Sequence, residues 1–319
     1  MPGDRHFLDY FFITRPILFF PGWATLLAGF ISASGKSKII NALVEGNFEF
    51  FFWNSRVLWA MVAFAMAMGG SFILNQLKDI RSDKKNRKLL IIGGGFVSVR
   101  NGYIEGLLLL FISLIFGVLI GIQFAGILIL FILVTSYLYN YPPFKFKNRP
   151  IAGLITNMLM GWFAFSLGWV LVNIPDTNML INSLPYLTFN TSLYLFTTLP
   201  DMEGDKSANK ITFAIKYGIK NTIFFGLLFY LCTIIATLIL NDQLVMAFSI
   251  TLAPLYIILL FKQDVKTSVI AIKFGILFFC LAICVSFPSF FVLMISLFMF
   301  TKYYYKTRFN FNYPNFKGA

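Results

Sequence analysis

Nine apolar stretches run through this 319-residue chain, at about 16–34, 57–77, 104–122, 124–140, 151–173, 182–200, 221–240, 243–261 and 269–300. Most are close to the roughly 20 residues that a helix needs to cross a hydrocarbon layer. A helix satisfies its own backbone polar groups without water, so runs of this length predict membrane crossings. Soluble domains are about 25% charged; this chain is 12% charged and 58% apolar. The crossings use up so much of the chain that no separate soluble domain fits beside them, and residues 1–319 are expected to form one polytopic membrane domain. The expected fold class is all-α, with about nine transmembrane helices in two pseudo-repeated four-helix units plus a terminal helix.

The chain has 26 Lys and Arg against 13 Asp and Glu. The basic residues sit in short segments between apolar runs, which argues against nucleic acid and for anionic lipid or phosphate as partners. With the N-terminus inside, one membrane face receives Arg5 and Arg15, the cluster from Lys78 through Arg81, Lys84, Lys85, Arg87 and Lys88 to Arg100, then Lys145, Lys147 and Arg149, the group Lys206, Lys210, Lys216 and Lys220, and finally Lys262 and Lys266. These are 18 of the 26, whereas the opposite loops hold Lys36, Lys38 and Arg56. The asymmetry predicts a multi-pass integral membrane protein of a cell inner membrane or its equivalent, with these loops cytoplasmic.

The basic tail from Lys302 to Arg308 fits this topology in one of two ways. Either it lies on the opposite face, or Phe287-Pro288-Ser289 divides the last run and returns the C-terminus to the cytoplasmic side. Ser32-Ala33-Ser34 has the small-x-small look of a cleavage site, but the run before it is too long for a signal peptide. Cys232, Cys280 and Cys284 fall inside apolar runs with no His or Cys partner set, and read as plain membrane-core residues.

Two acidic segments recur in the layout. Asn75-Gln76-Leu77-Lys78-Asp79-Ile80-Arg81-Ser82-Asp83 ends the second run, and Asp201-Met202-Glu203-Gly204-Asp205 ends the sixth, four runs later. On a helix Asn75, Asp79 and Asp83 lie at i, i+4 and i+8, along one face. Hard cations such as Mg²⁺ take oxygen ligands of this kind, usually one or two carboxylates completed by phosphate and water. A solvated helix end is the plain alternative for either segment alone. Two matched pairs of carboxylates in a chain with 13 acids favour a site between pseudo-symmetric halves. A third segment, Tyr141-Pro142-Pro143-Phe144-Lys145 with Lys147 and Arg149 behind it, ends the fourth run on the same face.

At these residues the chain resembles the UbiA-type superfamily of intramembrane prenyltransferases. Asn75, Asp79 and Asp83 match its first motif, Asp201 through Asp205 and Lys206 its second, and Tyr141 with Lys145 a Tyr-x-x-x-Lys between them. The resemblance covers nearly the whole chain. It implies Mg²⁺-dependent transfer of a polyprenyl group from polyprenyl diphosphate to an acceptor, either an aromatic quinone precursor or a glyceryl phosphate lipid. It further implies that Asn75, Asp79, Asp83, Asp201 and Asp205 hold metal, that the four carboxylates carry the catalysis, and that Gln76, Tyr141, Lys145, Arg149 and Lys206 contact substrate.

Arg15, before Pro16, resembles a family Arg-Pro near the pocket and serves equally as a positive anchor. Asn157 is an amide at membrane depth, a candidate for substrate contact or for helix-to-helix hydrogen bonding. Gln76 stands where the family has its first Asp, and brings an oxygen without a charge; Asn209 replaces a common Gly. These departures keep a rival in view, a non-catalytic relative that binds or transports prenyl lipids. A CDP-alcohol phosphotransferase is excluded by the missing Asp-Gly-x-x-Ala-Arg pattern.

Overall fold

Polar residues between the apolar runs start the helices. Ser98, Asp176, Asp242 and Asp264 each accept backbone N–H groups at the first turn of the helix that follows, at 2.8–3.1 Å. This satisfies donors that a helix start leaves without an intrahelical partner. Three of the chain's scarce acids are thereby accounted for as caps, which separates them from the acids of the two recurrent segments.

The computed structural model describes residues 6–36, 44–46, 55–85 and 91–314, so that Arg5, Lys38, Arg87 and Lys88 lie outside the described residues. The helices are α1 (Phe7–Phe12), α2 (Phe19–Ala33), α3 (Ser55–Lys85), α4 (Val99–Ile120), α5 (Ile122–Ile132, widening into a π turn at Leu133–Leu138), α6 (Pro150–Trp169), α7 (Thr177–Thr197), α8 (Met202–Ser207), α9 (Phe213–Leu240), α10 (Gln243–Lys262), α11 (Val265–Ser286) and α12 (Pro288–Phe309). No strand occurs among the described residues.

Seven helical segments among the described residues are long and apolar enough to cross a membrane, and the stretch Ile122–Leu138 is apolar but shorter. The expected count of nine is therefore not reproduced by length and hydropathy. The sixth run shows why: α7 carries Asn178, Asn182, Asn190, Thr191 and Ser192, and it buries Thr191 and Ser192 completely against neighbouring helices. A helix shielded by protein does not need to be apolar all round.

The ninth run is not one terminal span. Pro288 disfavours helical backbone at the residue before it, and Phe287 sits at φ −122°, ψ 78° between α11 and α12. Pro288 then opens α12 at a position where its missing N–H costs nothing. The turn brings the basic tail back to the N-terminal helix. Tyr304 Oη donates to Asp9 Oδ1 at 2.6 Å, Arg308 Nη2 lies 3.2 Å from Asp9 Oδ2, and the Phe12 and Tyr304 rings stack at 3.8 Å.

The most extensive helix pairings are α3 with α4, α7 with α9, and α2 with α6. In both halves the helix that carries or precedes an acidic segment packs on the next long helix, as the pseudo-repeat requires. The α2–α6 contact is backbone to backbone: a Cβ on Gly168 would stand 1.7 Å from the Leu26 carbonyl oxygen, and one on Gly29 would stand 2.0 Å from that of Phe165. Glycine on both sides lets helices approach this closely, a recurrent device where no water drives helices together. At the periphery α4 turns Leu107, Phe111 and Leu119 outward, a surface suited to lipid. The chain is a multi-pass integral membrane protein.

Candidate active site

The i, i+4, i+8 spacing does what helix geometry demands. Asn75, Asp79 and Asp83, at the end of α3, line one cavity of about 140 Å³ together with Asp201 and Asp205 from the start of α8. Asp79, Asp83 and Asp205 are buried, each less than a tenth exposed. The α8 turn is closed locally, with the Asp205 N–H on the Asp201 carbonyl at 2.9 Å, and this sets both second-segment carboxylates toward the first.

Three cations enter the same space. Lys147 Nζ donates to Asp79 Oδ1 at 2.7 Å, and to Asn75 Oδ1 and Asn140 Oδ1 at 3.1 Å each. Lys210 Nζ lies 2.9 Å from Asp79 Oδ1 and 3.2 Å from Asp205 Oδ1, joining the two acidic segments across the cavity. Arg15, in the left-handed region at φ 55°, reaches Asp83 Oδ2 at 3.4 Å. Burial pushes the Lys147 ammonium down to about 8. For Lys210 burial acts in the same direction, but the Asp79 and Asp205 charges together outweigh it and raise the ammonium above its ordinary value. Tyr139 and Tyr194 complete the wall, with Thr197, Thr198 and Thr212.

Other candidate residues lie elsewhere. Gln76 is buried but faces away from the cavity, its amide donating to the Ile13 carbonyl at 2.7 Å and the Phe72 carbonyl at 3.1 Å. Tyr141 sits over the Lys78 ammonium, 4.4 Å from its ring centre. Lys145 and Lys206 are exposed, and exposed Arg149 donates to the Pro143 carbonyl at 3.3 Å. Asn157 is off the lining, its amide donating to the Gly153 carbonyl at 2.9 Å within α6.

Sequence reasoning named Lys147 only as a companion of Lys145, and missed Lys210, Tyr139 and Tyr194 as site residues. Tyr194 had a signal, since it lies two helical turns before Asp201. The exchange of Lys145 for Lys147 had none: it depends on the turn, where Lys145 takes φ 42° and Lys147 then falls on the inner side, its N–H on the Tyr139 carbonyl at 3.3 Å.

The donor set suits a hard divalent cation. Among the described residues no three carboxylates converge on one point, yet Mg²⁺ asks for only one or two, with phosphate oxygens and waters filling its other positions. Carboxylates from two sides of a polar, half-enclosed cavity meet that requirement. Four carboxylates and three cations line it, and an anion as highly charged as a diphosphate needs further positive charge to enter.

Residues 23–268 match the model of the UbiA prenyltransferase family. Over 197 residues the chain is 29% identical to digeranylgeranylglyceryl phosphate synthase of Methanococcus aeolicus, covering 62% of this chain and 68% of that one. Over 181 residues it is 26% identical to a probable homogentisate phytyltransferase 2, chloroplastic, of Oryza sativa subsp. japonica, covering 54% and 47%. The chain thus spans about two thirds of the archaeal relative and about half of the plant one. In three dimensions it superposes on a UbiA homolog from Archaeoglobus fulgidus whose structure is bound to DMAPP and Mg²⁺. The TM-score is 0.69 at 19% identity, covering 89% of this chain and 99% of the other. That likeness is one of fold.

Proposed function

Because the chain belongs to the UbiA prenyltransferase family, we propose that it transfers a polyprenyl group from a polyprenyl diphosphate to a hydrophobic or amphipathic acceptor within the membrane, with Mg²⁺ as cofactor. The single observation that carries this reading is the meeting of both acidic segments and three cations around one cavity at the membrane edge. Asn75, Asp79 and Asp83 would hold the metal from one side, Asp201 and Asp205 from the other. When bound, Mg²⁺ supplies charge that stabilises the diphosphate as it leaves.

The chain's own groups do the rest. Lys147 is pre-positioned by two amide oxygens and one carboxylate, so it can present a fixed ammonium to a phosphate oxygen with little reorganisation. Arg15 is poised at the other end of the acidic face. The allylic C–O bond breaks, diphosphate departs with the electron pair, and the acceptor forms a bond to the same carbon and gives up a proton. The carbon centre that is briefly cationic is best served by apolar walls and ring faces that exclude water; Tyr139 and Tyr194, which line the cavity, offer such ring faces. The relatives point to two acceptor classes, a glyceryl phosphate lipid and an aromatic quinone precursor. The proposed orientation has the site cytoplasmic, supported by the positive residues around it.

Asp79→Asn and Asp201→Asn are expected to abolish transfer of labelled polyprenyl diphosphate while leaving membrane insertion and folding intact. Full activity in the double variant sinks the assignment. Tight diphosphate binding without turnover in the wild type would support the non-catalytic relative instead. Mass spectrometry of lipids from cells expressing the chain identifies the acceptor.

A further inference from the structure

Lys210 occupies a position that the proposed reaction does not explain. Its ammonium touches a carboxylate of each acidic segment, and its side chain is 12% exposed. The approach is built into the backbone. Asn209 adopts φ 54°, and the Lys210 N–H bonds back to the Asp205 carbonyl at 2.9 Å, which folds the chain after α8 over the cavity. Lys147 shares Asp79 Oδ1 but also donates to Asn75 and Asn140, and the Asn140 anchor remains when Asp79 and Asn75 take another partner. Lys210 pairs with Asp79 and Asp205, carboxylates that a divalent cation would claim.

We propose that Lys210 is a built-in competitor of the divalent cation, which bridges the two acidic segments in the free protein and transfers its ammonium to the diphosphate when substrate enters. The inference rests on the reading of the cavity as a metal and diphosphate site. An ammonium within 3.2 Å of both segments repels a second cation and holds the oxygens it needs. A diphosphate relieves this, because it offers the ammonium charge-assisted bonds in exchange for those it gives up. Metal and diphosphate then favour each other's binding, a reciprocal coupling. Lys210 is thereby a positioning residue that keeps the site from loading metal without substrate.

The test uses the full chain in detergent, with Mn²⁺ as a paramagnetic probe titrated with and without inorganic pyrophosphate. In the wild type, pyrophosphate should tighten Mn²⁺ binding. In Lys210→Met, Mn²⁺ alone should bind about tenfold tighter than in the wild type, ~1.4 kcal/mol, and the gain from pyrophosphate should shrink. Lys210→Arg should restore the wild-type pattern. A folded Lys210→Met protein with unchanged or weaker Mn²⁺ binding overturns the proposal, because a mere structural tie would give that result. If Lys210→Met does not fold, the wild type decides alone: equal Mn²⁺ affinity with and without pyrophosphate overturns the proposal. Mn²⁺ binding under neither condition overturns the reading of the cavity itself, whereas coupled binding without prenyl transfer overturns only the catalytic reading.

Discussion

Replacing Gly168 by alanine tests the packing that underlies the bundle. The added Cβ would lie 1.7 Å from the Leu26 carbonyl oxygen and 2.8 Å from both the Leu26 carbonyl carbon and the Phe30 nitrogen. To reach even 3.0 Å from that oxygen the α2 and α6 backbones must part by about 1.3 Å. No rotamer change relieves this, because the obstacle is backbone. Overpacking costs about 1–3 kcal/mol, and a backbone obstacle on both sides puts this substitution at the upper end, near 3 kcal/mol. Gly168 lies 18 residues beyond Pro150, the first residue of α6, which at helix rise is about 27 Å from the site end of that helix. The wedge therefore opens the bundle far from Lys147. We expect Gly168→Ala to lower the free energy of unfolding in a denaturant titration in mixed micelles by ~3 kcal/mol. The prenyl transfer rate per folded molecule should change by less than about threefold, under 1 kcal/mol. Gly126→Ala, where nothing lies within 4 Å of the new Cβ, should be neutral. Equal stability of Gly168→Ala and Gly126→Ala would refute the close approach of α2 and α6. A stable Gly168→Ala with activity lost would refute the separation of packing from site.

Two further substitutions probe the cavity itself. Gln76→Asp restores the acid common in the family, but it removes the amide that serves the buried Ile13 carbonyl; it should destabilise the protein by about 1–3 kcal/mol without tightening Mn²⁺ binding, measured by unfolding and by paramagnetic titration. Lys147→Met strips a charged donor from Asp79, Asn75 and Asn140. Its KM for polyprenyl diphosphate should rise by about 10- to 100-fold, from the ~1.5–3 kcal/mol of a charged hydrogen bond, and Lys145→Met should leave it near wild type.

The sequence by itself determined whatever depends on local periodicity. Apolar runs marked the membrane class because hydrocarbon admits only self-satisfied backbone. The faces of Asn75, Asp79 and Asp83 were legible because helical spacing is a property of one segment. Pro288 announced a break, but not that Tyr304 and Arg308 would then close onto Asp9, since a turn has no preferred partner until the bundle supplies one. Length and hydropathy alone do not settle the number of crossings for the same reason: hydropathy measures a helix against lipid, and α7 buries Thr191 and Ser192 against neighbouring helices. Gln76 and Lys147 show the limit most sharply. Gln76 sits one residue after Asn75, and that step of about 100° around α3 carries its side chain from the cavity to the Ile13 carbonyl. Lys147 displaced Lys145 because a left-handed residue in the turn chose which ammonium points inward. Only the tertiary structure decided which cations face the acids, because each salt bridge across this cavity joins residues at least 68 positions apart except that between Lys210 and Asp205, and no local pattern encodes such a meeting.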